Sequence, residues 1–327
     1  MSPITKLLQN DDGPPGPESP FIFGFSQFLQ KELNWDVRVV VPSSQKSWIG
    51  KAFHIKEDIQ GRYYYPRLPD GHGETSPSSR PLKEDEVAEW ILFDGTPATC
   101  ANIALHNLYK DEIDLVISGP NLGRNTSSAF ALSSGTIGAA MSGALSGVRS
   151  IALSYGIFLK HTPLELHAPA HALGVAIVRR LWEAWGTPAV PAAELYSVNI
   201  PMIEALGDGA PLRVCWTRMW RSRYGQLFDS QVPVASANEQ ETLGATPEDA
   251  PQPLLFKFAP HFEGLVRPRI EDLPYGTDAW AVHSGHVSVT PLQAAFAEPH
   301  NVLPQDVLPP VEPDANDVEK IMWKLKL

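Results

Sequence analysis

The sequence predicts an α/β protein, a doubly wound and largely parallel Rossmann-like sheet with a β-rich C-terminal excursion, and three observations carry that expectation. Short apolar or β-branched runs alternate with helix-forming segments over the first two hundred residues. The loops that leave those runs are rich in Asp, Asn, Ser and Gly. Past Pro201 the alternation stops, and short strand-like runs are separated by Pro-rich and acidic stretches.

The elements follow in order. Ile4 to Leu8 is a short, rather polar strand leading into Asn10-Asp11-Asp12-Gly13, with a Pro-rich loop from Pro14 to Pro20 behind it. Phe21, Phe25, Phe28 and Leu29 recur at helical spacing, giving a helix to about Leu33. Val37 to Val41 suits a buried strand, followed by the polar loop SSQKSWIGK, and residues 66–81 read as a Pro, Gly and Ser loop. A strand at Ile91 to Phe93 meets Asp94-Gly95, after which Thr96 caps a helix with Pro97 at its first position. Asp114 to Ser118 is another buried strand. The small, apolar run IGAAMSGALSGV reads as a helix packed closely on the sheet, before a strand at Ser150 to Ser154. A helix near Glu165 to Trp185 and a strand at Tyr196 to Ile200 complete the core. Beyond it, Leu212 to Thr217, Leu254 to Phe258 and His286 to Thr290 are strand candidates. The expected organisation is an α/β core over 1–205, a β-rich excursion over 206–295 whose strands return to the core and which is the expected oligomerisation element, and a Pro-rich linker with a terminal helix over 296–327.

Composition narrows the function. With 327 residues, 43% of them hydrophobic, the chain can bury a full core. A formal charge of −11 argues against a long nucleic acid, whose binding depends on Lys and Arg neutralising phosphates. A small anion remains possible where a metal supplies positive charge. The two cysteines, Cys100 and Cys215, lie far apart, which indicates neither a disulfide framework nor a zinc site. No segment has the length of a membrane span, and the expected location is cytoplasmic.

Ligands of open parallel sheets bind beyond the carboxyl ends of the strands. Four such loops are unusually polar: one holds Asp11 and Asp12, the next Ser47, the third Asn121 and Asn125, the fourth Ser134 and Thr136. Hard oxygen donors of this kind suit magnesium, manganese or calcium. Each loop alone reads as an ordinary turn or helix cap, and it is their convergence at strand ends that points to a site. His167 and His171 stand four apart on a helix without the H-E-x-x-H context and read as surface histidines; no histidine is assigned to catalysis.

The stretches NDDG (10–13), VVVPSSQKSWIG (39–50), DGTPATCANIAL (94–105), DLVISGPNLGRN (114–125) and SSGTIGAAMSGALSGVRSIALS (133–154) resemble the SurE survival-protein family of nucleotidases and phosphatases. Fainter likeness continues at SVNIP (197–201) and TDAWAVHSGHVSVTPL (277–292). The WIGKA form of the second loop resembles the fungal branch, in which this domain occurs alone or joined to a tubulin-tyrosine-ligase-like domain. The resemblance implies metal ligands at Asp11, Asp12, Ser47 and Asn121, and phosphate contacts at Asn125, Ser134, Gly135 and Thr136, with Asn10 and Gly123 beside them in the substrate site. Asp11, Asp12 and Asn125 form the implied catalytic set. The implied reaction is metal-assisted hydrolysis of a phosphate monoester, most simply a nucleoside 5′- or 3′-monophosphate, by a homodimer or higher oligomer. The alternative is a non-catalytic nucleotide- or metal-binding scaffold. Three departures stand out: Pro14-Pro15-Gly16-Pro17 replaces the usual segment after the first Gly, Thr99 stands in place of an acid, and Lys51 in place of a frequent His.

Overall fold

The polypeptide alternates apolar residues so that neighbours in a strand face opposite ways, and in the computed structural model this alternation builds two cores on either side of one sheet. The structure describes residues 5–158, 162–187, 193–208, 212–231, 254–261 and 268–296. Strands β1 (Thr5–Gln9), β2 (Asp36–Pro42), β3 (Gly61–Pro66), β4 (Gly73–Ser76), β5 (Trp90–Phe93), β6 (Leu115–Leu122), β7 (Arg149–Ile157), β8 (Leu195–Met202), β9 (Val214–Trp216) and β12 (Val287–Leu292) form a sheet ordered β4-β3-β5-β2-β1-β6-β7-β8-β12-β9. The pairs from β5 through β8 are all parallel. β3 joins β5, and β12 joins β8, in antiparallel register. A separate antiparallel ribbon consists of β10 (Phe228–Ser230) and β11 (Phe256–Phe258).

Helices α1 (Ile22–Leu33) and α5 (His167–Ala184) share the core of one face, where Leu8, Val39, Val41, Leu115 and Ile117 are buried. The other face buries Leu7, Val40 and Val116 together with Cys100, Ala104 and Leu105 of α2 (Pro97–Ile103) and its continuation. Two helices at the site, α3 (Ser127–Ser133) and α4 (Gly135–Leu145), follow β6, while the short α6 (Glu204–Gly207) and α7 (Asp278–His283) flank the C-terminal strands. The chain leaves β1 first toward β2 and later returns through β6 on its other side. The carboxyl ends of β1 and β6 therefore meet at the topological switch point.

The expected fold class is what the structure has. Two expectations fail, the first because residues 66–81 are not simply a loop: β4 pairs with β3 in a hairpin from Tyr63 opposite Ser76 to Pro66 opposite Gly73. The tyrosines explain it, since Tyr64 and Tyr65 are buried and their hydroxyls bind Gly71 O and Glu89 Oε2, fixing an aromatic strand that holds its polar partner. His171 is also misplaced by the sequence reading. It is buried among Phe21, Phe25 and Phe28, with Nδ1 3.1 Å from the Tyr155 hydroxyl, and burial lowers its pKa to about 3. The proposed terminal helix and most of its linker lie outside the described residues.

Lys6 is a charge inside the core. Its Nζ sits 3.4 Å from the Trp182 ring centroid and 4.8 Å from that of Trp35, with Asp114 at 4.0 Å. The two indole faces replace part of the lost hydration. Burial nevertheless lowers the Lys6 pKa from 10.5 to about 8. Between those two pH values the unfolded chain binds more protons than the folded one, so stability rises with pH across the window. Denaturant midpoints of the wild type should accordingly climb toward those of Lys6→Met between pH 8 and 10, and a constant difference between the two would contradict this account.

Candidate metal and phosphate site

The site begins with a turn. Asn10 is fully buried and folds its side chain back on the chain, Nδ2 donating to Gly13 O and to Ser19 Oγ while Oδ1 accepts from Gly13 N at 3.0 Å. Gly13 has φ +88°, a conformation costly to any residue with a Cβ, and it lets the backbone reverse directly after the two acids. Asn10, expected from the sequence beside the substrate, shapes the loop through these bonds.

Asp11 and Asp12 are both nearly inaccessible. Thr136 Oγ1 donates to Asp11 Oδ1, and Leu122 N donates to Asp12 Oδ2 at 2.8 Å. The amides of Gly135 and Thr136 at the start of α4 also stabilise the Asp11 carboxylate. A Cβ on Gly135 would lie 2.8 Å from Asp11 Cβ and 2.9 Å from Oδ2, so the residue type here is what lets the helix approach the acid. Burial raises both carboxyl pKa values, and for Asp12 the Asp11 charge adds to the effect. Neither acid has a Lys, Arg or His ion-pair partner among the described residues.

Asn121 reaches this pair through an irregularity in β6, whose register with β7 shifts between Ser118 and Asn121. Its Nδ2 donates to Gly123 O at 2.7 Å, which leaves Oδ1 as the free donor atom of the side chain. Ser47 comes from the loop after β2. That loop is pinned at both ends: Lys46 N donates to Asp11 O at 2.7 Å, and Gly50 N to Ser133 O at 2.8 Å. Asp11, Ser47, Asn121, Gly123, Asn125 and Ser134 all line one cleft of ≈ 510 Å³ counting its open mouth. Asn125 is held by Asn199 Oδ1, which accepts its backbone N–H at 2.7 Å, and by Ser154 Oγ, which accepts from Nδ2 at 2.9 Å. Ser134 caps α4, accepting from Ile137 N. Thr136 and Gly135, expected from the sequence as phosphate contacts, stand against Asp11, which Thr136 Oγ1 and both amides support.

The donor set fits a hard divalent cation. Two buried carboxylates crowd each other without a cationic neighbour, and Asp12 and Asn121 each spend one polar atom on the protein and keep an oxygen for a ligand. Among the described residues no cluster of three or more His, Cys, Asp and Glu exists, so the amide and hydroxyl oxygens have to complete such a site. Thr99, where an acid was expected, is buried in a cap: its N–H donates to Thr96 Oγ1, and the two hydroxyls are 2.9 Å apart.

Sequence reasoning missed three residues. Arg124 lines the cleft and is its one basic side chain among the described lining residues, with its guanidinium 5.3 Å from the Phe158 ring. Its place in GPNLGRN was visible, but its direction was not. Asn199 carries Asn125, and the signal was its place in SVNIP. Asp278, in TDAWAVH, is 1% exposed and accepts backbone N–H groups from Ser127 (2.8 Å), Trp220 (2.9 Å) and Ala279 (2.7 Å). It thereby ties α7 to the first residue of α3, whose φ is +74°.

The survival protein SurE family model matches residues 6–226, and the chain belongs to that family. A bacterial relative, the 5′-nucleotidase SurE of Picosynechococcus sp., is 31% identical over 304 residues, covering 92% of this chain and 95% of its own length. The probable tubulin–tyrosine ligase PBY1 of Saccharomyces cerevisiae is 33% identical over 91% of this chain, which spans only 42% of that relative. The crystal structure of SurE protein from Aquifex aeolicus superposes with a TM-score of 0.58 at 25% identity, covering 90% of this chain and 94% of that one.

Replacing Asp278 by Ala removes three charge-assisted hydrogen bonds and leaves buried donors unpaired, at a cost of about 3 kcal/mol or more. A drop in denaturation midpoint far beyond that of Asp278→Asn, which keeps one carbonyl oxygen, is the expected result. Equal midpoints for Asp278→Ala and wild type would show that the contact contributes nothing.

Proposed function

We propose that the protein is a divalent-metal-dependent phosphomonoesterase acting on nucleoside monophosphates. The observation that supports this reading is Asp11, buried beside Asp12 with no cationic ion-pair partner among the described residues, on a cleft whose other walls offer Ser47, Asn121, Asn125 and Arg124. Magnesium or manganese would be held by Asp11, Asp12, Ser47 and Asn121, and when bound it would polarise the phosphoryl group and acidify a water. The chain's own residues do the rest. Asn125, oriented by Asn199 and Ser154, donates to an equatorial oxygen of the phosphate, and Arg124 neutralises charge that develops there. Asp11, held in one rotamer by Thr136, acts as nucleophile or base at the phosphorus. The family relatives named 5′-nucleotidase favour the same reading. The ligase named in the yeast relative belongs to a protein of whose length this chain spans less than half.

Homo-oligomerisation is proposed as well. At the β9 edge Val214 and Trp216 are each 51% exposed and border an apolar groove with Leu173, Ile177 and Leu181 of α5. A patch of that kind on a sheet edge suits a self-complementary contact. Sedimentation should give at least a dimer for the wild type and a smaller species for Trp216→Glu, and a wild-type monomer at micromolar concentration would overturn it.

Release of phosphate from AMP should require added manganese and vanish after EDTA treatment. Asp12→Asn should lower turnover about a hundredfold or more, and Asp11→Asn should abolish it even at saturating metal. Manganese should raise the wild-type Tm but leave that of Asp11→Asn/Asp12→Asn nearly unchanged, because the cation binds only the folded site. Full activity after EDTA, or in the double variant, would refute the proposal.

A further inference from the structure

Trp48 has a backbone conformation that a tryptophan rarely adopts. Its φ is +64°, in the left-handed region where a bulky side chain crowds its own carbonyl. Such a conformation persists only where the surroundings over-determine it, and these residues cluster at functional sites. Here the loop is pinned two residues to either side, by Lys46 N on Asp11 O and by Gly50 N on Ser133 O. The strained residue is thus fixed between the carboxylate turn and the end of α3, and its side chain lines the same cleft as Asp11, Asn121 and Asn125.

The indole is held by other rings. Phe130 of α3 lies 6.0 Å away at 72°, Phe258 of the β10–β11 ribbon 5.4 Å away at 62°, and Tyr224 6.1 Å away. Tyr224 is itself anchored, its hydroxyl donating to Ala129 O at 2.8 Å. Trp48 and Phe130 both line the cleft, so its walls combine polar groups, Asp11 among them, with aromatic rings. A simple phosphate needs only the polar groups. A ligand that uses both carries a phosphate and, a few bonds away, a flat apolar group.

We propose that Trp48, backed by Phe130, is the specificity-determining wall of the cleft, on which the base of a nucleoside monophosphate stacks while its phosphate occupies the carboxylate end. The inference rests on the phosphomonoesterase reading and names the part of the substrate that this chain selects. Base stacking on an aromatic side chain corresponds to a factor of about 5 to 150 in binding. Part of the loop's unfavourable backbone conformation is then the means of presenting the indole to the ligand.

The test compares AMP with ribose 5-phosphate, which has the same phosphate ester and no base. For manganese-loaded wild type, Trp48→Phe and Trp48→Gly, kcat/KM is measured on both esters, and binding of both is measured by calorimetry. Glycine tolerates positive φ, so Trp48→Gly should fold, and its Tm reports that directly. The expected result is an AMP to ribose 5-phosphate ratio that falls about 5- to 150-fold in Trp48→Gly, in kcat/KM and in affinity alike, and is largely restored in Trp48→Phe. A ratio unchanged by Trp48→Gly, or an equal loss on both esters, would overturn the stacking wall. If the wild type binds AMP in preference to ribose 5-phosphate through Trp48 but releases no phosphate, the wall stands and the hydrolase reading falls.

Discussion

Two neighbouring carboxylates held out of water are the constraint around which this molecule is arranged. Asp11 and Asp12 repel each other, burial penalises both charges, and no basic side chain among the described residues pairs with them. What supports them instead is backbone and hydroxyl: the Leu122 amide, the Thr136 hydroxyl, and the first amides of α4. Each of these comes from a strand end or helix start that meets β1 at the switch point of the sheet, so the topology supplies the dipoles that the acids require. Gly135 matters for the same reason, since any side chain there would push the helix start away from Asp11.

The site is asymmetric in its rigidity. The carboxylate end is braced by buried contacts within a few residues of the sheet, whereas the aromatic end is assembled from a pinned loop, the short helix α3 and a ribbon whose Phe228, Phe256 and Phe258 are substantially exposed. On the proposed reading, chemistry is thereby placed on the sheet and discrimination on the loop, helix and ribbon beside it. This division accords with the general distribution of recognition residues on loops carried by a rigid core.

Much of this was legible in the sequence, and the pattern of what was not is physical. β5 is an uninterrupted apolar run, β2 and β8 are apolar apart from Asp36 and Arg38 and from Ser197 and Asn199, and NDDG, GPNLGRN and SSGT mark the site through residue types that few other purposes combine. The β3–β4 hairpin was missed because its partner strand, GETS, has no hydrophobic signature and exists through pairing alone. Helix α3 was missed because it is only seven residues long and its first two residues are held by contacts from Trp220, Ser222 and Asp278. The hydrogen bonds of Thr136 to Asp11 and of Asn10 to its own turn were not legible for a related reason. A motif tells which residues gather, but whether a hydroxyl faces a ligand or a neighbouring acid is decided by a helix start that no local pattern describes.

Asp278 gives the molecule a temporal property. It lies 151 residues after Ser127, yet the loop from Asn121 to Ser127 takes its final form against it. The strand that follows, β12, inserts between β8 and β9 rather than adding at the edge of the sheet. During synthesis the acids, the asparagines and the start of α4 are therefore all present long before the contact that closes around them. A contact of such high sequence separation forms late, after the entropy of closing the intervening chain has been overcome. The nascent protein passes through a stage in which Asp11, Asp12 and Asn121 exist but their frame is incomplete, and the cleft becomes whole only when nearly the entire described chain has been made.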